Sequence, residues 1–175
     1  KQRAVMTGIK VQFGHDSISD GELNASLSDL LMANEVGALA STKGDQAHIN
    51  TAYFVYSSAM QLYFLSQPTD VHTGNIAANP SVAVAIWSTP EKWGENLQGI
   101  QIFGRCEELR LGSEMISAMA LFVKRFPAFK SIMKRPGEFR DGVSSRMFVV
   151  RPNRARLLDE PRFGRRNYVE LSLDA

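Results

Sequence analysis

A single cysteine, Cys106, means that no intrachain disulfide can form and that no metal site can be built from cysteines alone. One thiol in 175 residues also points to a reducing compartment. Long apolar runs are missing: none approaches the roughly 20 residues that cross a bilayer as a helix. No basic stretch leads into an apolar one in the manner of a signal peptide, so the expectation is a cytoplasmic protein. Charge of one sign is missing too, and a net +2 does not by itself point to nucleic acid. The chain has neither GxGxxG nor a Walker motif, and Ser41, Ser66 and Ser88 lack a GxSxG setting. A dinucleotide fold, a P-loop and a covalent hydrolase therefore have no support. His15, His48 and His72 share no HxH or HxxxH spacing, which argues against zinc.

What remains is an ordinary globular composition on a chain long enough for one domain over residues 1–175. Ser19 and Glu22 have capping-box spacing, and Leu23, Leu27, Leu30 and Leu31 recur on one helical face. This predicts an N-terminal helix over about 19–34, ahead of a barrel over about 36–158 and a tail over 159–175. Strands are expected at Val36 to Thr42, Ala47 to Tyr56, Gln61 to Ser66, Ser81 to Ser88 and Leu97 to Leu109. Gly104 is a candidate bulge in the last of these. A sixth strand is expected at Met147 to Arg151 and a shorter seventh at Arg154 to Leu158. Helical turns fit His72 to Ala78, Ser113 to Phe126 and Ala128 to Met133. Six or seven antiparallel strands with few helices between them favour a closed, mainly β barrel with flanking helices over a doubly wound sheet.

The most informative stretch is Ile49 to Trp87: strand, tight turn, strand, polar loop, helical turn, strand. The loop Ser66 to Asn75 sets hydroxyls, amides and one imidazole directly after a buried strand, where a small anion can be gripped. The strand NTAYFVY, the loop SQPTDVHTGNIAANP, the strand QGIQIFGRCEEL, the RFP at Arg125 to Pro127 and the tail FGRR at Phe163 to Arg166 carry a resemblance. In that order and spacing the chain resembles the pyridoxamine 5'-phosphate oxidase-like FMN-binding split barrels, and within them the YhbP-like branch.

The resemblance implies a homodimer with FMN at the subunit interface. Carried over by position, Asn50, Thr51 and Ala52 would meet the flavin ring or ribityl chain. Ser66 and Gln67 would lie near the phosphate, with His72 and Thr73 facing it. Gln98 and Gly99 would approach the flavin, and Arg165 and Arg166 would form a basic pair near the cofactor. The pattern departs at His72, where the family has lysine or arginine, and near His48, where it often has arginine. That departure keeps F420 and haem as alternative cofactors, and a cofactor-less partner-binding module as a third. A small-molecule oxidoreductase is expected, but not pyridoxamine phosphate oxidase itself, whose C-terminal basic pattern is not intact.

Read without the resemblance, His72 is a solvated loop residue and His48 a surface cross-strand neighbour. Cys106 is a small buried hydrophobe, and Trp87 and Trp93 are core or interface residues. Lys124, Arg125, Lys130, Lys134 and Arg135 suit a helix C-terminus, whereas Arg162, Arg165 and Arg166 around a glycine suit phosphate better.

Overall fold

One long strand closes the barrel. In the computed structural model, which describes residues 6–13, 18–89, 92–132 and 145–173, β7 (Arg146–Asp159) pairs with strands on both of its edges. The others are β1 (Ile9–Phe13), β2 (Val36–Lys43), β3 (Gln46–Tyr56), β4 (Leu62–Ser66), β5 (Ser81–Ser88), β6 (Gln98–Glu108) and β8 (Tyr168–Leu173). The antiparallel ring runs β7-β4-β3-β2-β5-β6 and returns to β7. β8 extends the sheet from the second half of β7, and β1 pairs with β8. The protein is thus mainly β, with the expected closed barrel of six strands and two strands outside the ring.

One expectation needs correction. The sixth and seventh strands are one, β7, because Pro152 falls where the register shifts opposite Phe103 and Gly104 and the ladder resumes beyond it. The apolar stretch of the tail over 159–175 forms β8, with Val169 and Leu171 buried in the main core. Elsewhere the spans agree to within a residue or two. The helices are α1 (Asp20–Ala33), α2 (Val71–Ala78), α3 (Ser113–Arg125), α4 (Phe129–Ile132) and α5 (Glu160–Phe163). His15, Lys134 and Arg135 lie outside the described residues, as does Met133 at the expected end of α4.

The capping box of α1 is formed: the Glu22 amide donates to Ser19 Oγ and the Ser19 amide to Glu22 Oε2. Its apolar face, with Leu27 and Leu31 fully buried, packs into the main core with Leu39, Ile86, Ile102 and Leu157. Each such leucine contributes about 2 kcal/mol by leaving water. A second core lies under α3, where Ala118, Phe122 and Phe129 meet Val55, Tyr63 and Val149.

Polar clasps fix α3 at both ends, and α3 supplies one wall of the site. Near its start, Glu114 receives both terminal nitrogens of Arg151 at 2.9 Å and the Tyr63 hydroxyl at 3.1 Å. At its end, one Arg125 nitrogen donates to the carbonyls of Leu31 and Asn34 at 2.8 and 2.5 Å, with the guanidinium over the Phe54 ring. A guanidinium spent on helix carbonyls and an aromatic face is a structural cation, and burial pushes its pKa down.

Candidate functional site

β3 and β4 part company halfway along. Their ladder runs only from Tyr56↔Leu62 to Phe54↔Phe64, and from Tyr53 back to Gln46 β3 keeps β2 as its sole strand partner among the described residues. A cleft of about 570 Å³ occupies the gap, a volume suited to one organic ligand. One wall is polar: Asn50 and Thr51 on β3, then Ser66 at the end of β4 with Gln67 and Asp70 after it. The other is aromatic: Phe122 and Phe126 of α3, with Phe129 of α4, the rings within 5.3 to 5.9 Å of Phe122. Tyr53 closes the corner, edge-on to Phe126 at 5.5 Å. The free edge of β3 presents backbone N–H and C=O groups to this space, as an unpaired strand edge must.

Behind the polar wall stands a tight network. His72 is only 3% exposed, and its Nε2 lies 2.5 Å from Ser66 Oγ and 3.5 Å from Asn50 Nδ2. The half-buried His48 ring lies parallel to it at 6.2 Å. Burial lowers the His72 pKa, the Asp70 carboxylate opposes that, and the neighbouring His48 adds to it. The net direction is downward, so the ring is neutral at pH 7. Thr73 Oγ1 donates within the loop, towards the carbonyls of Asp70, Pro68 and Gln67 at 2.7 to 3.1 Å. His72 is therefore neither a solvated loop residue nor a cation, and His48 is its stacking partner.

The residues named from the resemblance fall into two groups. Asn50, Thr51, Ala52, Ser66 and Gln67 line the cleft, and His72 and Thr73 sit behind it. Gln98, Gly99, Arg165 and Arg166 gather elsewhere, around Asp159 and Glu160. Gln98 Nε2 donates to Asp159 Oδ1 at 3.0 Å, and Gly99 pairs with Leu158. Arg165 reaches the Gly94 carbonyl at 3.3 Å, and the Arg166 amide donates to Glu160 at 3.0 Å. Arg162 is occupied by Asp29 and Asp159 at 2.6 and 2.7 Å. Trp87 and Trp93 are exposed, Trp93 completely, so neither is a core residue.

Sequence reasoning missed the aromatic wall and Asp70. Phe122 and Phe126 show helical spacing, which marks a buried face without saying what lies opposite. The motif Ser-x-x-x-Asp was a usable signal for Asp70, since an aspartate in a turn bonds local backbone and hydroxyl groups.

No protein-family model matches the chain, and no curated protein does. Solved structures do. A haem-binding protein from Mycobacterium smegmatis superposes with a TM-score of 0.65 at 16% identity, covering 82% of this chain. This chain spans only 55% of that one. A candidate pyridoxamine 5'-phosphate oxidase from Listeria innocua gives 0.57 at 23% identity over 78% of this chain and 98% of its own. An FAD-binding protein from Mesorhizobium loti gives 0.54 at 22% identity over 83% and 91%. The fold is the pyridoxamine 5'-phosphate oxidase-like split barrel. At these identities the likeness extends to the fold and no further.

Proposed function

We propose that this chain is a cofactor-binding split barrel whose β3–α3 cleft holds the flat conjugated ring of a flavin. The carrying observation is the two-sided cleft. A strand edge and amide groups stand where a flavin's polar rim needs partners, and phenylalanines stand where its faces need cover. When bound, a flavin supplies hydride and electron transfer, which makes a small-molecule oxidoreductase the implied activity. Placement in the YhbP-like branch is part of the same reading and rests on the order of its short motifs. The phosphate of FMN fits less well than the ring, since no lysine or arginine is among the described lining residues and Asp70 is.

A second copy of the chain completes the reading. On the outer face of β3-β2-β5, Ala38, Ala40, Ala83 and Ala85 form a shallow centre in register. Val36, Ile49, Tyr53 and Trp87 ring it, each at least 43% exposed. An apolar patch of small residues rimmed by large ones suits a two-fold, self-complementary contact. Tyr53 and Thr51 belong both to this face and to the cleft, so a partner seated there would cover the cleft mouth.

Haem is the second reading, favoured by the exposed Tyr53 phenol, which is of a type that serves as an axial ligand. No histidine is among the described lining residues, which is why the flavin comes first. The test is an absorption spectrum of the full chain after mixing with riboflavin, FMN or haemin and desalting. A retained flavin band supports the proposal. A retained Soret band that Tyr53→Phe abolishes moves the case to haem, and a colourless protein in all three overturns both.

A further inference from the structure

The cleft has a charged end, and its charge is negative. Apart from the Tyr53 phenol, Asp70 is the one ionisable side chain among the described lining residues. Its carboxylate accepts the Ser66 hydroxyl at 2.8 Å and the Gln67 amide at 3.1 Å. The Ser66 bond holds its pKa below the usual carboxylate value, burial opposes that, and the Gln67 amide and nearby His72 assist, so it is ionised at neutral pH. Although Asp70 is the N-cap of α2, its side chain makes no capping bond; it turns back onto the loop instead.

Three of the loop's donors are thereby engaged by the chain itself. Ser66 and Gln67 are held by Asp70, and the Thr73 hydroxyl is turned onto backbone carbonyls. His72, from α2, is neutral and bonded to Ser66, and His48, from β3, stacks behind it. Arg146 stands opposite Ser66 on β7, but its guanidinium is paired with Glu108 at 2.7 Å. Arg125, from α3, is spent on the Leu31 and Asn34 carbonyls. A phosphate brought to this end would meet a carboxylate in the position it needs to occupy, with no lysine or arginine among the described lining residues to offset the repulsion.

We infer that Asp70 makes the cleft reject ligands carrying a phosphate at the Ser66 end, so that the flavin it takes is a phosphate-free one of riboflavin type. This rests on the flavin reading for its ligand, though not for the role of Asp70.

The experiment compares the wild-type chain with Asp70→Asn, and with Asp70→Ser as a second variant that keeps a good helix cap. Riboflavin and FMN are titrated by fluorescence quenching, and inorganic phosphate is titrated separately by thermal shift. Wild type is expected to bind riboflavin at least as tightly as FMN. Removing the charge is expected to tighten FMN about tenfold relative to riboflavin, in line with the gain when an anion regains its donors. Phosphate is expected to raise the melting temperature of the variants and not of wild type. Wild type preferring FMN about tenfold, or folded variants with an unchanged flavin ratio, overturns the inference. If neither flavin binds any variant, the flavin reading fails, and phosphate still decides Asp70: protection of the variants alone upholds its role, and equal protection of wild type or none of any overturns it.

Discussion

Gly104 of β6 lies directly against the backbone of Arg151 on β7: a Cβ at position 104 would collide with the Arg151 carbonyl oxygen and stand 2.7 Å from Pro152 Cα. This is the point where the β6–β7 register shifts, in the seam that closes the barrel. The obstructing atoms are backbone rather than the end of a flexible side chain, so relief requires β7 itself to shift away from β6. Gly104→Ala is expected to cost about 3 kcal/mol, at the upper end of overpacking penalties. Urea denaturation of the two proteins measures it, and a loss within experimental error would mean that the seam can open locally.

A second seam depends on a buried charge. Asp159 is 1% exposed and accepts Ser26 Oγ at 2.5 Å, Gln98 Nε2 at 3.0 Å and Arg162 at 2.7 Å. Burial alone raises its pKa, but the bonds from Ser26, Gln98 and Arg162 outweigh it and leave the value below the usual one. Asp159→Ala leaves those donors unpaired and is expected to cost about 3 kcal/mol. Because the folded pKa is depressed, the contribution is present above the ordinary value of 3.8 and is lost as pH falls through the folded pKa. The variant should therefore lose less stability than wild type on acidification below about pH 4, as read by denaturation at a series of pH values.

These two seams also show what could be read from the chain alone. Gly104 was legible because a lone glycine in an alternating strand marks a bulge, and α1 because a capping box and a leucine face are local signals. The strands of the ring were legible for the same reason. The Ser26–Asp159 bond spans 133 positions, and nothing in either residue's neighbourhood announces the other. The pairing of β1 with β8 joins the two ends of the chain and was equally invisible. At the site, the polar wall was readable as a motif order. Its aromatic wall was not, because helix periodicity says that Phe122 and Phe126 are covered without saying that β3 and β4 split beneath them.

Cys106 should make the protein sensitive to alkali. Burial pushes its thiol up to about 12, from an ordinary value of 9.0, and neighbouring Glu107 adds to the rise. A raised folded pKa means that stability is fully present below the ordinary value and is lost as pH climbs from there towards the folded one. Tyr63, also raised to about 12, begins to contribute only above its own ordinary 10.0. Between about pH 8 and about pH 10 the wild type should therefore lose about 1 kcal/mol that Cys106→Val does not lose. Equal losses in the two proteins would show that the thiol ionises freely in the folded state. A thiol reagent should leave native Cys106 unmodified and label it on unfolding.

The proposed two-fold face can be tested without any cofactor. Its centre is flat because four alanines stand in register, Ala38 beside Ala85 and Ala40 beside Ala83, with Thr51 and Ile49 continuing the two rows on β3. Ala40→Glu would place a carboxylate in the middle of that patch. In a two-fold contact the same change appears on both sides, so two buried like charges would face each other with no cation between them. The substitution points outward from the barrel, so the fold itself has little reason to suffer, and circular dichroism with thermal melting at low protein concentration checks that. Light scattering after size exclusion should give a dimer for wild type and a monomer for the variant. If wild type is already monomeric, the partner that the reading seats over Thr51 and Tyr53 is absent, and the cleft must hold its ligand with its mouth open. If the variant stays dimeric, the two copies meet through some other surface, and the cleft lies outside the interface.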